Sequence, residues 1–433
     1  MTSKPHRAPS PPDLRSRAGF TLVELMVAIS GGLLISVVVF ALARDATRFY
    51  QRESRVGDAT LGVIIGFERL RADIARAGFL STPNIQDDPL FCGGPAALSR
   101  QPGELGRLAS IRLIVDDPAA VNNPVFQQND ISPDAIVLAG NYQSADVFPM
   151  WGVSGGGGQP PTVYLQPGIG PLARAGYLTL ANRTDQQTLL DGLFPARRAL
   201  RIVDEAGRIQ FGIIAGTVAG GEPAIQLGST SVLSFRGAAA TACGVKDQEL
   251  GVVNVVNFIR YELRDLSQSP GRYAALFNGP GRTPFDANRR ELVRAELFAD
   301  TTDTIDPTTL EVVVEHAVDL KFGVTVAGPA LNALQTFPPG NASVQTTASD
   351  VSTNDSKPQW IRAIRVRLSA RSTVPDREAD VAQPDSEGEV AQDAPGVAAG
   401  LYRIRVGSGE EPFARVRTLQ ADVALPNQSG VIW

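Results

Sequence analysis

Leu25–Ala43 is a run of 19 residues without a charge, and Glu24 stands directly before it. As an α-helix it spans about 29 Å, the thickness of a bilayer's hydrocarbon core. The residues ahead of it, 1–19, are polar and basic, with Lys4, Arg7, Arg15 and Arg17 against Asp13. Three readings compete. The segment is a plain membrane anchor, or a secretory signal cut after Ala41-Leu42-Ala43, or a segment cut on its N-terminal side and retained. The run is longer than a secretory h-region, and a carboxylate sits at its mouth; both favour the third reading. A carboxylate at the edge of an apolar helix is costly and calls for a partner.

The other 390 or so residues must fold around a core, because 43% of the 433 residues are hydrophobic and only 20% charged. The net charge of -5 argues against a general nucleic-acid binder, which needs basic surface to displace counterions from phosphates. Two histidines, His6 and His316, and two cysteines, Cys92 and Cys243, leave little from which to build a catalytic or histidine-based metal site.

Gly19-Phe20-Thr21-Leu22-Val23-Glu24 resembles the type IV prepilin processing motif. The resemblance implies that prepilin peptidase cuts after Gly19 and methylates the new Phe20 amine. Loss of four basic residues and one acidic would leave 36 basic and 44 acidic groups, a net of -8. Cleavage also creates a partner for Glu24, the α-ammonium of Phe20 four residues away. The resemblance implies that in a filament Glu24 meets the terminal amine of a neighbouring subunit and so serves assembly.

Val56, Val63, Phe67, Leu70, Ile74 and Ala77 recur at helical spacing, with charged residues on the remaining faces and Gly78 placed to cap the end. Residues 20–77 therefore read as one helix, with 20–43 its membrane half and 44–78 its amphipathic half and cap. Gly31-Gly32 falls in the membrane half, where it would allow a bend or close helix packing.

A second resemblance is to PilW-type minor pilins. Glu68–Phe79, Phe258–Leu263, Gly271–Leu276, Glu291-Leu292-Val293, Val318–Val324, Trp360–Arg371 and Val416–Asn427 follow the order of that family's blocks. Pro426 departs from its usual Leu-Arg-Asn ending. The GspJ pseudopilin of type II secretion shares the same blocks more loosely. The expected fold is α+β and pilin-like, a long N-terminal helix packed on a mainly antiparallel β domain. Its β part divides into a variable region, 79–251, without a recognisable likeness, and a PilW-like region, 252–433.

Ile111–Val115, Ala135–Leu138, Tyr177–Leu180, Leu200–Val203 and Ile361–Leu368 read as strands, and Asp204–Gly207 as a hairpin turn. The arginines alternating along 361–368, 403–406 and 415–417 read as the solvated face of a sheet. Gly155–Gly158, residues 338–358 and the acidic stretch 376–393 read as loops. His316 lies in an apparent strand and is expected to be half-exposed; no G-x-S-x-G elbow accompanies it, so the chain is read as no enzyme.

Asp300, Asp303, Asp306 and Glu311 form an acidic turn that could bind calcium through oxygen ligands, although the spacing is not that of an EF-hand. No other cofactor is expected. Cys92 and Cys243 either pair in an oxidising compartment, closing a loop of about 150 residues, or stay buried as thiols.

The resemblances point to a minor pilin held in the inner membrane with its C-terminal domain in the periplasm, later on the pilus. Its partners would be prepilin peptidase, other minor pilins, the major pilin and a tip adhesin. A GspJ-like pseudopilin and a pilin-displayed adhesin or binding module are the alternatives.

Overall fold

In the computed structural model the chain forms two compact units, residues 1–57 and 58–433. The structure describes residues 21–92, 101–118, 131–156, 159–229, 251–266, 289–327, 333–352, 356–372 and 413–431, with short pieces between them. The leader 1–19, Phe20, most of 271–276 and the acidic stretch 376–393 lie outside the described residues.

Helix α1 runs from Leu22 to Arg76. Its segment Leu22–Thr47 has a mean hydropathy of 2.6 and is 0% buried. Large apolar side chains from Leu22 to Leu42 are exposed, a surface suited to lipid rather than water. Gly31 and Gly32 are helical, and a Cβ on either would meet nothing within 4 Å.

In the second unit, Val63, Phe67, Leu70, Ile74 and Ala77 are all buried, so the stripe of helical period is the packed face. The side chain of Val56 is outside the described residues. Gly66 belongs to the same contact: a Cβ there would come within 2.6 Å of the Val313 carbonyl oxygen. Gly78 follows the helix at φ +77, the left-handed cap position, and its N–H donates to the Ala139 carbonyl at 2.8 Å.

Fifteen strands follow in the described residues. The first sheet contains β1 (Ile111–Ile114), β2 (Ala135–Gly140), β3 (Phe148–Gly156), β4 (Gln159–Leu165), β5 (Ala199–Asp204), β6 (Ile209–Val218), β7 (Ala224–Leu227), β8 (Gly251–Arg264), β9 (Glu291–Leu297) and β10 (Glu311–Val314). The second contains β11 (Ala317–Ala327), β12 (Leu334–Phe337), β13 (Ile361–Arg371), β14 (Arg403–Arg405) and β15 (Phe413–Ala424), in the order β12-β11-β13-β15-β14. Every strand pair is antiparallel. The expected α+β, pilin-like class is the observed one.

Strand β8 does two jobs. Its C-terminal half lies between β2 and β9, with Tyr261 opposite Ile136 on one side and Arg294 on the other. Its N-terminal half lies between β3 and β5, with Val253 opposite Phe148 and Ile202. Because β3-β4-β7-β6-β5 is continuous and β5 returns to β8, these six strands close into a barrel. Closure removes the sheet edges there. The barrel is filled by its own cluster, including Met150, Val163, Leu165, Ile202, Ile225 and Val253. Two helices between β4 and β5, α2 (Gly170–Arg174) and α3 (Arg183–Leu193), add Leu172, Leu190 and the following Phe194 to that cluster.

A separate core joins α1 to both sheets, with Leu70 and Ile74 in one cluster with Ile136, Tyr261, Phe322 and Val366.

Several sequence expectations need correction. Tyr177–Thr179 is a turn of 3-10 helix, not a strand, because Gly176 at φ +69 breaks the extended path. The Tyr177 hydroxyl instead donates to the Gly220 carbonyl at 2.9 Å. The variable region is not strands and turns alone: α3 has an Asn182 cap whose side chain accepts the Asp185 N–H at 2.9 Å, a local signal present in the sequence. Gly155 and Gly156 end β3 rather than forming a loop, and residues 157–158 are outside the described residues. Residues 338–358 hold a further helix, α4 (Ala342–Ala348), capped by Asn341. The arginines of β13 are not all solvated: Arg367 is buried with Asp319 at 3.2 Å, whereas Arg365 meets Asp422 of β15 at 2.8 Å.

Candidate functional site

The start of α1 is a reciprocal cap. The Thr21 hydroxyl accepts the Glu24 N–H at 3.2 Å, and Glu24 Oε2 accepts the Thr21 N–H at 3.0 Å and its O–H at 2.9 Å. This is the capping box, Thr-x-x-Glu, ahead of an apolar run. Glu24 thus closes the first turn besides placing a negative charge at the positive end of the helix dipole. Sequence reasoning saw the charge and missed the cap, although the four residues spell it. Gly19 and Phe20, the expected processing pair, lie outside the described residues.

The other end of α1 is tied by a largely buried polar knot. Asp73 Oδ2 accepts the Tyr261 O–H at 2.8 Å and the Arg294 Nε–H at 2.7 Å. The Asp73 carbonyl accepts the Tyr142 O–H at 2.9 Å. Burial, with the Asp73 charge nearby, pushes both tyrosine hydroxyls well above their usual range, so both stay protonated donors. Asn427 Nδ2 donates to the Arg76 and Ala77 carbonyls at 3.4 and 3.1 Å, satisfying groups that a helix end leaves open. The residue after the departing Pro426 therefore caps the helix.

The acidic turn does not gather into a ligand set. Asp300 pairs with Arg197 at 2.9 Å, Asp303 with Arg107 at 2.7 Å, Asp306 with Arg198 at 2.8 Å and Glu311 with Arg69 at 3.0 Å. Each carboxylate faces a guanidinium from a distant part of the chain, and no group of three or more metal-ligating side chains occurs among the described residues. A cleft of about 480 Å³ opens beside this turn, and Arg107, Arg112, Asp117, Arg260, Asp303 and Asp350 line it. Its arginines are neutralised locally, Arg107 by Glu104, Asp303 and Asp350, Arg112 by Glu104, and Arg260 by Asp117 and Glu262.

Cys92 and Cys243 are joined by a disulfide with a Cα–Cα distance of 5.5 Å and a sequence separation of 151. Cys92 also donates its N–H to the Ile209 carbonyl at 2.9 Å, so the bridge fastens the chain beyond α1 beside β6. Replacing both cysteines by serine is expected to cost about 2–5 kcal/mol, since the open chain regains the entropy of a long loop. Urea unfolding of the two forms measures it, and alkylation before and after reduction reports the bridge itself. Equal midpoints would remove the stabilising role.

His316 is buried, not half-exposed, and occupies the turn between β10 and β11 at φ +53. Its N–H donates at 2.7 Å to Glu291, which also accepts from the Arg289 guanidinium. Burial pushes Glu291 from 4.5 up to about 7, against the pull of Arg289 and the His316 N–H. The native state then holds a proton that the unfolded chain has released between these values. Stability is expected to fall as pH rises from about 4.5 to about 7 and to level off above. Glu291→Gln should flatten that slope in urea midpoints taken across the range; an unchanged slope would move its origin elsewhere.

The model of the prokaryotic N-terminal methylation motif matches residues 14–30. No curated protein and no solved structure matches the chain. The match, with the apolar helix 22–47 and the antiparallel β domain, supports a type IV prepilin-like protein, a structural pilin that prepilin peptidase processes and that assembles with other pilins. The single N-terminal apolar helix fits an inner-membrane anchor for a soluble C-terminal domain.

Proposed function

We propose that the chain is a PilW-like minor pilin, cut after Gly19 and methylated at Phe20, that takes part in starting a type IV pilus at or near its tip. The observation that carries this reading is the methylation motif joined to an apolar helix and followed by a bulky unit, 58–433. Such bulk is tolerable where no further subunit must stack above. Its domain would face the periplasm first and the cell surface after assembly. Other minor pilins, the major pilin and a tip adhesin are the partners this role requires.

The capping box gives Glu24 its place in the mechanism. It holds the carboxylate at the first turn, on the N–H of Thr21, the residue that follows Phe20 in sequence. There it neutralises a terminal ammonium at the edge of hydrocarbon, first its own and then that of a neighbour in the filament. The closed barrel favours a second reading, a binding module displayed by pilin processing. The GspJ-like role shares the same chemistry, and the neighbouring genes distinguish pilus from secretion system.

Intact mass and N-terminal sequencing of membrane-extracted protein test the processing step. The expected mature chain begins with N-methylated Phe20. A chain beginning at Arg44 would be a secreted protein and would end the proposal.

A further inference from the structure

Four neighbouring barrel strands, β3, β4, β7 and β6, contain thirty residues and not one Asp, Glu, Lys or Arg. At the chain's 20% charge content about six would be expected in thirty residues, so this wall is unusually neutral. Its inward residues are accounted for, since Val153, Val163, Leu165 and Ile225 fill the barrel. On β6 the outward Ile209, Phe211 and Ile213 pack into a separate buried cluster and Val218 is exposed, whereas the outward face of β3, β4 and β7 is polar and aromatic. Strand alternation turns Ser154, Thr162, Tyr164 and Gln226 out, with Thr162 opposite both Ser154 and Gln226.

A bulge adds the remaining element. The β3–β4 register shifts between Met150 and Gly152, so Trp151 is the extra residue. Its ring stacks on Tyr164 with centroids 5.0 Å apart and planes at 28°. Both rings are partly exposed. The Ser154 hydroxyl donates to the Tyr164 hydroxyl at 3.1 Å, fixing the phenol's position. Around the pair, the Trp151 indole N–H, the Thr162 hydroxyl and the Gln226 amide make no hydrogen bond among the described residues.

We infer that this wall is a binding site for a neutral oligosaccharide, with a sugar ring packed on the Trp151–Tyr164 pair and its hydroxyls met by Thr162, Gln226 and the indole N–H. The chemistry selects that class. A pyranose offers an apolar C–H face and a rim of neutral hydroxyls, matching an aromatic platform edged by neutral donors and acceptors. Single-stranded nucleic acid also stacks on aromatics, but it needs a positively charged groove beside them, and these strands supply no cation. An obligate protein interface would present a more apolar core than Ser154, Thr162 and Gln226 provide. Binding here is independent of which filament carries the chain.

The test titrates the full chain in detergent with neutral hexasaccharides of glucose, mannose and N-acetylglucosamine, and with a single-stranded oligothymidylate. Calorimetry and tryptophan fluorescence are the readouts. Saturable binding of at least one neutral hexasaccharide, unchanged by added salt, is expected. Trp151→Ala and Tyr164→Ala should each weaken it about tenfold or more. Thr162→Val with Gln226→Ala keeps both rings and the barrel interior, and should weaken it without altering the thermal melt. The inference is overturned if no neutral hexasaccharide binds, if binding survives loss of both rings, or if the oligothymidylate binds there instead. Should the ring variants fail to fold, undiminished binding by the Thr162/Gln226 variant would overturn it equally.

Discussion

Glu24→Gln is expected to yield a stable, membrane-resident, correctly cut protein that enters filaments about tenfold less well. Glutamine serves in a capping box as glutamate does, so the first turn of α1 should persist through the Thr21 contacts. The apolar span is untouched, and the cut lies before Phe20, so insertion and cleavage should both continue. Only the charge is lost. An incoming subunit would then leave a neighbour's terminal ammonium unneutralised at the edge of hydrocarbon, where polar groups need partners. Glu24→Ala separates the two roles, because it removes cap and charge together. Fractionation of sheared filaments, with pull-down of other minor pilins from membranes, gives the measurement. Full incorporation of the Gln variant would leave registration to the soluble domain.

Asp73→Ala should have the largest effect on the stability of the second unit, about 3–5 kcal/mol. It strips the acceptor from the Tyr261 hydroxyl and leaves the Arg294 guanidinium, a largely buried charge, without its carboxylate. Asp73→Asn keeps an acceptor for Tyr261 but cannot neutralise Arg294, so it should fall between. The consequence is local as well as global, since these contacts hold the last turns of α1 to β8 and β9. Urea midpoints of the full chain in detergent measure the loss, and protease sensitivity near Arg76 reports release of the helix. A variant as stable as the parent would mean that apolar packing of Leu70 and Ile74 suffices.

Much of the helix could be read without the fold. The stripe Val63, Phe67, Leu70, Ile74 and Ala77 is buried as its spacing predicts, and Gly78 adopts the conformation that favours glycine. The Thr21–Glu24 cap and the Asn182–Asp185 cap were equally legible, each lying within four residues. So was the run of uncharged strands behind the proposed sugar site. What misled were residues whose environment comes from elsewhere. His316 looked half-exposed because its flanks read as a strand, yet it sits in the turn between β10 and β11, where Glu291 of β9 takes its N–H. The acidic turn looked like a ligand set because its guanidinium partners lie far away in sequence, as with Arg69 and Glu311 at a separation of 242.

The sequence by itself determined the apolar span, the processing motif, the helix and its buried face, because each depends on spacing within a few residues and on transfer of side chains out of water. Only the tertiary structure decided that β8 serves a sheet and a barrel at once, that Asp73 meets Tyr261 and Arg294, and that Cys92 meets Cys243. Those contacts join residues from some tens to about two hundred positions apart, and local pattern carries no record of which distant segments will repay the entropy of closing such loops.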